Sequence, residues 1–172
     1  MRYQMKQKLL SLGQDFTIED EEGNAAYKVD GRAISFGAKY SFQDAAGEEL
    51  AFISQKVLSL KKRYQIFREE EMVAEVIRDF SWRSLLGSSR SSDRLTIDVP
   101  GPDDYSIQGS FFRREYRFTR GGQQVAEVSR KFFSLTDSYG IDISEGEDDV
   151  LILASAVVID HICDSAESSD ND

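Results

Sequence analysis

Glu147-Asp148-Asp149-Val150-Leu151-Ile152-Leu153-Ala154-Ser155-Ala156-Val157-Val158-Ile159 joins three acids to the longest apolar run of the chain. Wound into a helix, Val150 to Ile159 is apolar at every angle, and a helix that is apolar all round is a buried one. The three acids stand where negative charge suits a helix N-terminus. From Val150 to Ile162 such a helix runs about 20 Å at 1.5 Å per residue, short of a ~30 Å bilayer core. The segment therefore reads as a helix inside the protein, spanning about 149 to 163, and something must wrap around it.

The wrapping is written in a repeat of about twenty-four residues. Lys8-Leu9-Leu10-Ser11-Leu12 is followed by Phe16-Thr17-Ile18, Asp20 and Gly23; the phrase returns as Arg32-Ala33-Ile34-Ser35-Phe36 with Tyr40-Ser41-Phe42, Asp44 and Gly47. It returns again at Lys56-Val57-Leu58-Ser59-Leu60 and at Lys131-Phe132-Phe133-Ser134-Leu135, with weaker copies around Trp82 to Ile107 and Phe111 to Val128. Each unit holds two runs with period-2 alternation, the mark of strands with one buried face. Turn residues separate the runs, and both prolines fall in one such turn, Pro100-Gly101-Pro102. Six units of two strands predict about twelve antiparallel strands. A sheet of that size closes into a barrel rather than expose long edges, and the apolar helix fills its middle. Leu86 to Asp93 reads as a mobile loop within the fourth unit.

The 172 residues amount to one domain, 40% apolar and 30% charged. We expect a barrel over 1–163 and an acidic, disordered tail over 164–172. One cysteine and one histidine exclude an intrachain disulfide and the usual Cys/His zinc sites. Nothing near Met1 reads as a signal peptide, so a cytoplasmic setting is expected, with attachment to a membrane surface as the alternative. Of the net charge of −10, eight acids and no Lys or Arg lie between Glu147 and Asp172. The rest is nearly neutral, which argues against a general nucleic-acid binder, since phosphate contacts demand a strongly basic face.

These residues look familiar. The Lys-Leu-Leu-Ser-Leu opening, the Asp98-Val99-Pro100-Gly101 turn, Asp137-Ser138-Tyr139-Gly140-Ile141 and Glu147-Asp148-Asp149-Val150-Leu151-Ile152-Leu153-Ala154 together resemble the LURP-one-related family. The resemblance covers Tyr3 to about Cys163. It implies the tubby C-terminal-like fold, a twelve-stranded barrel around a hydrophobic C-terminal helix, shared with tubby proteins and phospholipid scramblases. It implies no defined reaction, and it offers no motif onto which the phosphoinositide-binding residues of tubby domains could be carried one by one.

The chemistry-bearing residues are sparse. His161 falls where the apolar helix ends, beside Asp160 and near Cys163. Positions i and i+2 of a helix point about 200° apart, so a Cys163–His161 dyad is excluded there, and His161 reads as a helix-end histidine able to pair with Asp164. No Gly-rich phosphate loop or nucleophile elbow occurs. No catalytic residue, cofactor or metal ligand is therefore assigned, and Asp137, Asp142, Glu145, Glu147, Asp148 and Asp149 read as a solvated turn and helix cap rather than a calcium loop. Asp160 is different: if the helix is still buried there, a wall arginine or a water must meet its carboxylate. Lys61, Lys62, Arg63, Arg113, Arg114 and Arg117 could build a modest basic patch, with Lys61, Arg63, Arg113 and Arg117 as the candidate anion or lipid contacts and Glu115 between the last two on one strand face. The expected function is a non-catalytic binding or scaffold domain with a protein partner. The alternative is a phosphoinositide or anionic membrane-surface module.

Overall fold

The period-2 alternation of the sequence is the inside–outside alternation of a barrel wall. A computed structural model describes residues 1–8, 15–34, 37–58, 63–78, 93–132 and 138–169. Lys61, Lys62, Trp82, Asp137 and most of the stretch from Leu86 lie outside the described residues. The strands are β1 (Arg2–Lys8), β2 (Asp15–Glu19), β3 (Ala25–Ile34), β4 (Gly37–Asp44), β5 (Glu49–Lys56), β6 (Arg63–Arg68), β7 (Glu71–Arg78), β8 (Asp93–Asp98), β9 (Tyr105–Ser110), β10 (Glu115–Arg120), β11 (Gln123–Ser129) and β12 (Ser138–Ile143). Each pairs antiparallel with the next, and β12 pairs with β1 to close the barrel. The closed barrel of twelve strands is the architecture that six two-strand units require.

Inward positions are apolar on every side: Phe16 and Ile18 on β2, Phe42 on β4, Ile53 on β5, Ile66 on β6, Leu95 and Ile97 on β8, Phe118 on β10 and Ile141 on β12 are all buried. They close on helix α1 (Asp149–Ser169), whose residues Leu151 to Ile159 are buried without exception. Asp148 caps this helix, its Oδ1 accepting the amide of Leu151 at 3.0 Å, as an aspartate three residues before an orphan N–H should. The repeat has a structural counterpart in its turns. Asp20 Oδ1 accepts the amides of Glu22 and Asn24 and Asp44 Oδ1 those of Ala46 and Glu48, while Gly23 and Gly47 follow with φ of 83° and 88°.

The chain end differs from expectation. Residues 164–169, read as part of a disordered tail, continue the helix to Ser169. Two contacts past Ile162 tie the extra turn down: the Ser165 hydroxyl donates to the His161 carbonyl at 2.7 Å, and Asp164 Oδ1 lies 3.7 Å from Arg114 Nη2. His161 is consequently a residue of the helix interior and not of its end.

The up-and-down topology gives the barrel two mouths. The near mouth, where α1 begins, is ringed by connections 20–24, 45–48, 69–70, 99–104, 121–122 and 144–148. The far mouth, where α1 leaves, carries among the described residues the connection 111–114 and a 3-10 turn, Arg130–Phe132.

Candidate functional site

Because α1 fills the barrel axis, the surfaces left for partners are the two mouths and the outer wall. The near mouth is acidic. Its connections carry Asp20, Glu21 and Glu22, then Glu48, then Glu69 and Glu70, then Asp103 and Asp104, and finally Glu145, Glu147 and Asp148, with no Lys or Arg among them. Three arginines reach this mouth from strand ends, and each is already engaged: Arg2 with Asp142 at 2.8 Å, Arg68 with Asp148 at 2.6 Å and Arg120 with Glu147 at 3.6 Å. The wall tyrosines Tyr3 and Tyr105 donate their hydroxyls to Asp149 at 2.6 Å and Glu147 at 3.0 Å. Burial alone would raise the Asp148 carboxyl, but bonds from Arg68 and from the Leu151 and Val150 amides outweigh it and hold the group below its ordinary value. The helix-start acids are thus fixed as part of the fold. A cleft of about 1060 Å³ opens beside them, where Asp20, Glu21, Glu22 and Glu145 add negative charge above Leu50 and Val150.

The far mouth has the opposite character. Lys56, Arg113, Arg130 and Lys131 are exposed there, together with Val57, Leu58 and Phe112. Beneath this rim lies the buried carboxylate anticipated from the sequence. Asp160 is 1% exposed; Arg114 Nε stands 2.6 Å from its Oδ1 and the Tyr139 hydroxyl donates to its Oδ2 at 2.7 Å. Burial raises the Asp160 carboxyl to about 6, against the opposing pull of Arg114 and Tyr139. Arg114 reaches inward from a left-handed backbone position, φ 55°, in the turn between β9 and β10. His161 packs edge-on against the rings of Tyr40 and Tyr64, each centroid 5.7 Å away, which is a packing role.

The candidate basic patch is dispersed. Arg63 starts β6 and pairs with Glu75 at 2.9 Å. Arg113 lies in the turn before β10, so it does not alternate with Glu115 and Arg117 on one strand as expected. Arg117 is on the outer face of β10 opposite Glu127. Glu115, placed between the two arginines by the sequence, accepts the Ser129 hydroxyl at 2.9 Å and the Arg130 amide at 3.2 Å. Four strand steps separate β6 from β10, roughly 19 Å along the wall at ~4.8 Å each. Arg63 is therefore not brought together with Arg113 and Arg117, and Lys61 lies outside the described residues. Arg114, counted with the surface bases in the sequence, is spent on Asp160. What sequence reading missed is the sorting of charge between mouths, although each turn announces its own sign.

A model of the LURP-one-related family matches residues 1–160. The uncharacterised protein YxjI of Bacillus subtilis (strain 168) is 32% identical over 158 residues, covering 92% of this chain and 91% of that protein. An X-ray structure of a protein from Arabidopsis thaliana superposes with a TM-score of 0.67 over 94% of this chain and 91% of that one. At 18% identity that likeness concerns the fold alone.

Proposed function

The chain belongs to the LURP-one-related family, and on that footing we propose that it is a non-catalytic binding module whose near mouth receives a positively charged protein surface. The observation that carries this reading is the segregation of charge: the near-mouth connections hold acids only, and the arginines that reach that mouth are already paired. Like charges around a cleft that no basic side chain neutralises raise the local potential and steer an oppositely charged partner to it. The filled interior supports the same reading, since it leaves the outside of the barrel for recognition. Dye-labelled decalysine is the simplest cationic probe. Its binding at low salt, followed by fluorescence anisotropy, should weaken at least tenfold in a Glu21→Lys, Glu22→Lys, Glu145→Lys variant. Equal affinity for wild type and variant contradicts the reading.

A second reading, attachment to an anionic membrane surface, has its own observation in the far mouth. There Leu58 is 100% and Phe112 45% exposed among Lys56, Arg113, Arg130 and Lys131. Each base near an anionic surface contributes about 1 kcal/mol, so the cluster would bind weakly and with strong salt dependence. The helix end brings the acidic Asp164 to the same mouth, which opposes such binding. Co-sedimentation with phosphatidylserine vesicles at physiological salt should show no strong binding; micromolar binding lost on Arg113→Glu and Lys131→Glu would put this reading first. Among the described residues no helix is long and apolar enough to cross a membrane.

A further inference from the structure

Next to the near mouth, the outer wall carries an apolar surface. Phe52 on β5 lies opposite Phe67 on β6, and Phe67 lies opposite Met72 on β7, so the three form a row across adjacent strands. All three face away from the core: Met72 is 49% exposed and the two phenylalanines are half-buried. A register shift between Ile66 and Phe67 is what sets Phe67 against Met72. The neighbouring outward pairs on the same strands are Ser54 with Gln65 and Gln65 with Glu75, the polar pattern expected of a solvated wall. Phe52, Ser54 and Phe67 floor a groove of about 360 Å³ edged by Glu49, Glu69 and Glu70.

The turn that supplies two of those carboxylates is strained. β6 and β7 are joined by Glu69 and Glu70 alone, with φ of 48° and 67°. A two-residue hairpin with both φ positive is the geometry that Asn-Gly or Asp-Gly adopts at little cost. A glutamate in that region carries left-handed strain, and strain that persists at an exposed turn points to a use. The use available here is charge, since both side chains are exposed at the lip of an apolar groove.

We propose that this groove docks an amphipathic, Lys- or Arg-bearing segment of another protein, its apolar side chains seated on Phe52, Phe67 and Met72 and its bases against Glu49, Glu69 and Glu70. The inference rests on the near mouth being the contact for a basic partner and supplies what charge alone lacks. Rim charges set orientation and association rate, whereas apolar anchors set how long the partner stays. The acidic edge selects the occupant: an anionic membrane would be repelled by it, and a polar cationic segment would leave the aromatic floor uncovered.

A dye-labelled synthetic peptide of eighteen residues, Leu and Lys at helical spacing, tests this by anisotropy at physiological salt, with sedimentation velocity on the protein alone. Phe52→Ser with Phe67→Ser should weaken peptide binding at least tenfold. Glu69→Asn with Glu70→Gly should weaken it several-fold while raising the thermal midpoint, because it relaxes the turn, so this second variant remains informative if the first folds poorly. Peptide affinity indifferent to both pairs overturns the proposal. Binding lost only in the Glu21, Glu22, Glu145 charge-reversed variant overturns it too, while leaving the near-mouth reading intact. No binding by wild type likewise sinks the groove, and decalysine then judges the near mouth separately. Self-association abolished by Phe52→Ser would make a second copy of the chain the occupant and overturn the proposal.

Discussion

At the scale of single residues, Asp160 is the carboxylate that the fold must satisfy. Its partners, Arg114 from the β9–β10 turn and Tyr139 from β12, bind the helix to two sides of the wall. Removing one member of a buried ion pair strands the other, at a cost of about 3 to 5 kcal/mol, so Arg114→Met should lower unfolding stability by that order in urea titrations at neutral pH. The pH dependence has a definite sign. With its folded value raised to about 6 from an ordinary ~3.9, Asp160 holds its proton more tightly in the folded than in the unfolded state. Its favourable contribution is complete below the ordinary value and is lost as pH rises through about 6. Relative to Asp160→Asn, wild type should therefore lose roughly 2 to 3 kcal/mol between pH 4 and pH 7, with the other titrating groups cancelling in the comparison. Stability curves for the two proteins that run parallel over this range would contradict the burial of Asp160. The need for a partner was legible in the sequence because a charge follows ten positions of which Ser155 alone is polar. The choice of Arg114 was not: three other arginines, Arg113, Arg117 and Arg120, stand near it in sequence, and the left-handed backbone that turns this one inward has no pattern to announce it.

At the scale of elements, the helix and the strands were legible for different reasons. α1 declares itself by being apolar at every angle, and Ala154→Asp, placing an unpaired charge at a position with no exposure, should prevent folding. A soluble variant with near-wild-type melting would contradict the threaded helix. The strands declare themselves by alternation, and the exceptions were informative: Phe52-Ile53, Ile66-Phe67 and Met72-Val73-Ala74 are adjacent apolar residues within strands, which forces some of them outward. Glycines divide by what surrounds them. Gly109 has φ 151°, and a Cβ there would lie 2.4 Å from the Glu115 carbonyl oxygen, backbone that cannot give way. Gly23 has φ 83° but open space around it. Gly109→Ala should cost roughly 3 kcal/mol and Gly23→Ala about 1, measured by thermal unfolding. The far end of α1 escaped the sequence reading because an acidic, Ser-rich stretch looks the same whether it is loose or is held by a wall arginine.

At the scale of the whole molecule, the described residues of the barrel are sorted by charge along its axis, acids at the near mouth and exposed bases at the far one. Acid-led turns, as at Asp20, Asp44 and Glu69, alternate along the chain with base-led phrases, as at Lys56 and Lys131. Up-and-down topology sends alternate connections to opposite mouths, so a signal that looks mixed along the chain separates in space. That is also why Arg63 is not brought together with Arg113 and Arg117: closing the wall sets β6 and β10 four strand steps apart, a separation that depends on counting strands between them. The proposed site of recognition is the acidic near mouth of a barrel whose interior is shut. Amide shift perturbation in ¹⁵N-labelled protein titrated with decalysine addresses both halves at once. The predicted result is saturable shifts in the turns 20–24 and 144–148 with the Leu151 to Ile159 amides unmoved. Shifts centred on Arg113, Arg130 and Lys131, or spread through the interior helix, would contradict it.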